Sequence, residues 1–348
     1  MVRPVFLLMT LFVLSGSIAG AMPARPAPLL PDTPGLPCRQ RAEQLLDQAL
    51  GFMERNYYRR KEVDWTLLAA QARKQLDFAD NCDDAYSSIS WCFRQLGEPH
   101  SFVMPPASAA RYAGDDSPGD QAALAGLVGE IRGEWIGDSI GYLTIPWVGT
   151  TDSLLCERIA DSLQAIIARL DSRHISHWIV DLRRDKGGNC WPMLAGIGPL
   201  LGNGVCGYFV ASNETIPFSY YDGSALQGKH VLCRVSEDHG YHTSSTHNCV
   251  VVLTGARTVS AGEIVALAFK GRQSTCLIGQ PTAGLTTANA TYSLADRSML
   301  VLTVCREADF SGHICDGSIF PDRFIAAGHP DGGADAARAA AVSWLQGK

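Results

Sequence analysis

The chain has 348 residues, of which 46% are hydrophobic and 18% charged, enough for one large domain or two smaller ones around a sizeable core. Its net charge of −6 leaves no basic footprint, so no nucleic-acid partner is expected.

Residues 1–21 read as a signal peptide. Arg3 supplies a short basic region, Val5 to Leu14 an apolar stretch, and Ala19-Gly20-Ala21 a small-x-small cleavage site. The apolar stretch is too short for a comfortable membrane span. The reading is an exported protein, periplasmic or secreted, with no membrane span in the mature chain. Export makes disulfides plausible. The 11 cysteines are an odd number, so a monomer keeps at least one thiol unpaired. Cys305 and Cys315 flank a short polar turn and are one expected pair. Cys38 with Cys82 or Cys92 is another.

Residues 22–37 are rich in Pro and Ala and read as a flexible leader. Residues 38–106 read as a small helical domain: Leu45, Leu46, Ala49 and Met53 recur at helical spacing. Asp64 is placed to cap a helix over 65–76, and Asp83 or Asp84 to cap a third helix ending at Gly97. Residues 107–125 are rich in Ala, Gly, Ser and Asp and read as a linker. From 126 to 348 strands and helices alternate. Strands are expected at 139–146, 177–182, 205–210, 217–221, 229–233, 249–254, 275–278, 289–294 and 299–305. Helices are expected at 152–170, 191–201 and 334–345. Such alternation implies an α/β core with crossover connections.

Three segments carry chemistry. The apolar strand Val250–Leu253 leads through Thr254-Gly-Ala-Arg-Thr-Val-Ser-Ala-Gly-Glu263 into a buried helix. Ser260 thus sits where a strand-to-helix junction exposes a hydroxyl beside free helix N–H groups. It is either a nucleophile or simply a helix cap. Trp178 to Asn189 is a buried strand running into Gly187-Gly188, adjacent glycines that turn tightly and present N–H groups. Leu96-Gly-Glu-Pro-His-Ser-Phe102 sets His100 in a loop just beyond a helix. The polar stretch holding His239, His242 and His247, with Cys249 after it, reads as a surface loop rather than a metal site; no metal or cofactor is expected. Asn213 and Asn289 are sequons in a source that glycosylates.

Together these segments resemble the tail-specific (carboxyl-terminal processing) protease superfamily, which includes the tricorn core protease and the interphotoreceptor retinoid-binding modules. Leu96 to Phe102 matches its Leu-Gly-Asp-Pro-His-Ser stretch, with Glu98 for Asp. Asp181 to Gly188 matches Asp-Leu-Arg-x-Asn-x-Gly-Gly, with Asp185 for Asn. Thr258 to Glu263 matches Thr-x-Ser-Ala-x-Glu. Gly279, Thr282 and Gly284 match Gly-x-x-Thr-x-Gly, and Pro321-Asp322 a late Pro-Asp. Only about 35 residues separate Pro106 from Tyr142, too few for the PDZ domain of many members. Leu285 stands where Ser-Lys dyad members hold lysine. The chain is therefore closer to the tricorn and retinoid-binding branch.

The resemblance implies a Clp/crotonase-like core of mixed sheets and helices behind a helical N-terminal domain. It implies a serine-type endopeptidase acting on a protein or peptide, with Ser260 as nucleophile and His100 as base. The Ala261 N–H, with that of Gly187 or Gly188, would form the oxyanion hole. Asp316 or Ser101 would orient the histidine, and Glu263 would brace the local backbone. The alternatives are an inactive module binding a hydrophobic ligand or peptide on the same fold, and an esterase or amidase for small molecules.

Overall fold

A computed structural model describes residues 38–76, 84–114, 126–236, 240–326 and 335–348. The expected signal peptide, leader and Asp83 cap lie outside these residues, as do Cys82, His239 and most of the expected linker.

Helices α1 (Cys38–Asn56), α2 (Trp65–Gln75) and α3 (Asp84–Gln95) form the N-terminal part. Helix α1 buries Leu45, Leu46, Ala49 and Met53 along one stripe. The Asp64 carboxylate caps α2 by accepting the Leu67 N–H at 3.0 Å. Strand β1 (Phe102–Met104) and helix α4 (Pro106–Ala113) follow. Helix α4 is a correction, since these residues were expected to be linker. Its run of alanines carries helical propensity, Pro106 suits a first turn, and Gly114 closes it at φ +84°.

Two sheets form the core. The six-stranded one contains β2 (Arg132–Ile136), β3 (Ile140–Thr144), β4 (His177–Asp181), β9 (Cys249–Thr254), β10 (Thr275–Gly279) and β14 (Arg323–Phe324), in the order β14-β10-β9-β4-β3-β2. All its pairings are parallel except the β2–β3 edge. The eight-stranded sheet contains β5 (Gly204–Val210), β6 (Thr215–Tyr221), β7 (Ser224–Gln227), β8 (His230–Arg234), β11 (Thr287–Ser293), β12 (Met299–Asp309) and β13 (Ile314–Cys315), together with β1. Its path is β1-β12-β5-β6-β7-β8, and β11 and β13 also pair with β12.

Helices α5 (Ser153–Asp171), α6 (Cys190–Leu201) and α7 (Ala261–Phe269) lie between the sheets. Helix α8 (Ala336–Gln346) covers the outer face of the six-stranded sheet. Strand β9 shows why its apolar run is unbroken. Val250 and Val252 join the core shared with α5–α7, while Val251 and Leu253 join the one under α8.

The mixed α/β class and the helical N-terminal part agree with the sequence reading. Of the two disulfide expectations, one fails and the other is met at Cys38. Cys305 and Cys315 are both free thiols, because the strand partner of Cys315 is Glu307, not Cys305. Cys38 is disulfide-bonded, but not to Cys92, which is a free, buried thiol.

Candidate active site

Strand β9 ends at Thr254, and a short loop carries the chain to Ser260 at the start of α7. Thr258 pins the loop, its hydroxyl accepting from the Gly255 N–H and donating to the Leu182 carbonyl, both at 3.0 Å. Ser260 has φ +52° and ψ −111°, a strained conformation for a residue with a Cβ. Glu263 holds it there. The Ser260 N–H donates to Glu263 Oε2 at 2.8 Å, and the Glu263 N–H donates to the Ser260 carbonyl at 2.7 Å. The serine hydroxyl reaches His100, with Oγ 2.8 Å from Nε2.

Glu263 itself is buried. Its carboxylate also accepts from Thr282 Oγ1 at 2.5 Å and from the N–H groups of Gly284 and Leu285 at 2.8 and 2.9 Å. Burial pushes its pKa up and these donors pull it down, the burial effect being larger.

His100 follows the end of α3, where Gly97 turns at φ +63° and the Glu98 N–H closes on the Phe93 carbonyl at 2.9 Å. The buried Glu98 carboxylate accepts the His100 N–H at 2.9 Å and the Thr303 hydroxyl at 2.9 Å. Asn289 donates from Nδ2 to the His100 carbonyl at 3.0 Å and is engaged at Oδ1 by the same threonine at 2.8 Å. The histidine loop is thereby riveted to β11 and β12. Its Nδ1 lies 2.8 Å from Thr287 Oγ1. Burial lowers the imidazole pKa to about 4, with a backbone hydrogen bond at Thr287 opposing the shift. The ring is neutral at pH 7.

The other wall is the turn after β4. Asp185 is buried, and its Oδ1 accepts the Gly187 N–H at 2.9 Å. Of the two expected oxyanion donors here, Gly187 is therefore committed. The N–H groups of Gly188 and Ala261 donate to no acceptor among the described residues. Both glycines are required: φ is +92° and +102°, and a Cβ on Gly188 would lie 1.9 Å from the Val148 carbonyl oxygen.

Two expected histidine partners are not in place. Asp316 is exposed in the turn after β13, and among the described residues no hydrogen bond joins it to His100. Ser101 is buried but faces Thr303, donating to its hydroxyl at 3.1 Å and accepting its N–H at 2.9 Å. The sequence reading missed Thr287, Thr303 and the role of Glu98. Its one available signal for Thr287 was the Thr286-Thr287 pair just past Leu285.

Residues 139–323 match the model of peptidase family S41. A nisin-resistance protein from Lactococcus lactis subsp. lactis is 25% identical over 284 residues, covering 81% of this chain and 80% of that protein. Among solved structures, a lipoprotein from Streptococcus agalactiae superposes with a TM-score of 0.68 at 21% identity, over 90% of this chain and 98% of its own. The photosystem II D1 C-terminal processing protease superposes with a TM-score of 0.53 at 15% identity, over 82% and 93%. These structural likenesses establish the fold. The family match spans more than half of the chain, and the protein belongs to peptidase family S41.

Proposed function

We propose that the protein is an exported serine-type endopeptidase that hydrolyses peptide bonds through an acyl-enzyme. The observation that carries this reading is the 2.8 Å contact between Ser260 Oγ and His100 Nε2. A serine hydroxyl is a weak nucleophile near pH 7 without a positioned base. Neutral His100 accepts the Ser260 proton at Nε2 as Oγ bonds to the peptide carbonyl carbon. The negative charge that develops on the carbonyl oxygen falls to the N–H groups of Ala261 and Gly188. His100 then passes the proton to the leaving amine, and the C–N bond breaks. Water enters by the same route: its oxygen bonds to the acyl carbon as His100 takes its proton, the ester bond to Oγ breaks as His100 returns that proton to Oγ, and the acid product leaves.

The base must keep the Nε2 lone pair, so Nδ1 carries the hydrogen and donates it to Thr287 Oγ1. Thr287 is thus the positioning residue, in place of Asp316 or Ser101. A histidine base also fits Leu285 at the position of the dyad lysine. Lys270 is occupied elsewhere, its ammonium donating to the Phe320 carbonyl at 3.0 Å. This favours the tricorn and retinoid-binding branch. Export rests on the signal peptide read at residues 1–21; among the described residues no helix is long and apolar enough to cross a membrane.

The test is covalent labelling of the mature protein with a fluorophosphonate, followed by intact mass and peptide mapping. One adduct on Ser260, lost in both Ser260→Ala and His100→Ala, is the expected result. A folded protein that takes no label and cleaves no peptide is instead the ligand-binding module. Turnover of small esters but not peptides identifies an esterase.

A further inference from the structure

A cavity of about 950 Å³ opens at the end of the core opposite the catalytic pair. Ser260 and the Gly188 turn stand at the N-terminal ends of α7 and α6, whereas Phe269 and Leu201, at the C-terminal ends, line this cavity. The nine residues of α7 put roughly 13 Å between its two ends. Small-molecule sites usually measure on the order of 300–1,000 Å³, so there is room here for a ligand of several rings. The outer wall is the polar loop 241–248, and it is firmly held. The buried Asp171 carboxylate accepts from Tyr241 Oη at 2.8 Å, from the Ser244 N–H at 2.6 Å and from Ser244 Oγ at 2.8 Å. The Tyr241 N–H donates to Gln164 Oε1 at 2.7 Å, and Trp178 Nε1 donates to Asn248 Oδ1 at 3.1 Å. A wall set before the ligand arrives has less freedom to lose on binding.

The lining favours a ligand without charge. Among the described residues no carboxylate lines it, in a chain of 35 Asp and Glu, so nothing there holds a cation. Its one arginine is engaged: Arg272 donates from Nη1 to the Leu201 carbonyl and from Nη2 to the Val205 carbonyl, both at 2.9 Å, and its guanidinium lies 5.5 Å from the centre of the Phe310 ring. His242 faces Asp222 at 3.1 Å. The negative ends of α6 and α7 oppose an anion further. What remains unspent both donates and accepts. Asn203 uses only Oδ1, which accepts the Asp222 N–H at 3.0 Å, and the side chains of Thr246, His247, Gln273 and Ser274 make no hydrogen bond among the described residues. Arg272 Nε is buried and lacks an acceptor, which costs free energy until one is supplied. The floor is apolar, with Leu201, Val250 and Phe269 all buried, and Phe310, 36% exposed, sets an aromatic ring at the rim.

We propose that this cavity binds a neutral oligosaccharide. Each sugar hydroxyl donates and accepts, as do the amide and hydroxyl groups around the rim, and it brings no charge for the site to answer. The apolar C–H face of a sugar ring packs on Phe310 and the floor, and its edge carries hydroxyls to Asn203, Thr246, Gln273 and Ser274. An oxygen of the ligand also gives Arg272 Nε the acceptor it lacks. This site is independent of the peptidase reading of Ser260 and survives its failure.

The test is calorimetric titration of the wild-type protein with four trisaccharides. Maltotriose and triacetylchitotriose are neutral, chitotriose is cationic and trigalacturonate is anionic. At least one neutral probe is expected to bind saturably, one per chain, and about tenfold or more tightly than either charged probe. Preference for maltotriose marks a ligand recognised by plain hydroxyls, and preference for triacetylchitotriose one recognised by its acetamido groups. Phe310→Ala, and separately the double variant His247→Ala, Gln273→Ala, should each weaken the neutral probe by about tenfold or more. Both should keep the wild-type melting temperature and fluorophosphonate labelling. Absence of saturable heat from both neutral probes at millimolar concentration overturns the site. So does equal or tighter binding of a charged probe, or an affinity that survives both variants.

Discussion

Thr287 is the residue on which the proposed chemistry turns once Asp316 is out of reach. A neutral hydroxyl orients the imidazole but gives little electrostatic help to an imidazolium, so its loss should cost rate through geometry. Thr287→Val should slow fluorophosphonate labelling by about 10- to 100-fold, the loss of one buried hydrogen bond, and Thr287→Ser should recover most of it. A merely structural threonine would lower the melting temperature and leave the labelling rate of the folded protein unchanged. The pH profile makes a second prediction. Burial lowers the His100 pKa to about 4, so the base-competent neutral ring persists on the high-pH side of that value. Labelling should stay flat from pH 8 down to about 5 and fall only near 4. An ordinary histidine would already lose half its rate near pH 6.5. A midpoint near 6.5 in the labelling profile would show that solvent reaches the ring.

At the scale of the element, the junction between β9 and α7 depends on one side chain. Glu263 is one helical turn past Ser260, and its carboxylate binds the Ser260 N–H and three donors from the 282–285 loop. Glu263→Ala would strand four donors, one buried and three half-buried, and release the strained serine. A stability loss on the order of 3 kcal/mol or more is expected by urea titration, with labelling lost as well. This junction was legible in the sequence because a buried strand and a buried helix are both written as apolar runs, and six residues between them leave little freedom. The helices of the N-terminal part were legible for a similar reason, through Asp64 and the Leu45–Met53 stripe. The short strands were not. Strand β13 has two residues and β14 two, too few for any period to appear. Strand β12 runs on to Asp309 through Arg306 and Glu307, charges that end an apolar pattern on paper but are accommodated in the fold. Contacts such as Nδ1 of His100 with Thr287 join residues 187 apart, and nothing local encodes them.

At the scale of the molecule, the core holds acids it does not pair. Glu307 is fully buried, and neither of its carboxyl oxygens has a hydrogen-bond partner among the described residues; Asp185 Oδ2 is likewise unpartnered. Burial raises the pKa of both well above the usual carboxylate range, with Glu263 adding to the shift at Glu307. The folded chain therefore keeps protons that the unfolded chain has released. Stability is full below the unfolded carboxyl pKa of about 4 and declines as pH rises toward the folded values, by up to about 1.4 kcal/mol per pH unit and group. The melting temperature should fall between pH 5 and pH 8. Glu307→Gln and Asp185→Asn should each flatten that slope and be relatively more stable at pH 8. A wild-type melting temperature that climbs over the same range would mean that both carboxyls ionise freely in the fold.

The proposed catalytic pair is also divided in time. Ser260 lies 160 residues after His100 in the chain. A ribosome, or a channel threading the protein N-terminus first, delivers the base early and the nucleophile late. The positive-φ conformation of Ser260 requires β4, β9 and the 282–285 loop together, and the histidine is held only once β11 and β12 are laid down. On the proposed mechanism, no partial chain is a protease. The polypeptide is harmless to whatever makes or carries it, and hydrolytic power appears only as the last part of the core closes.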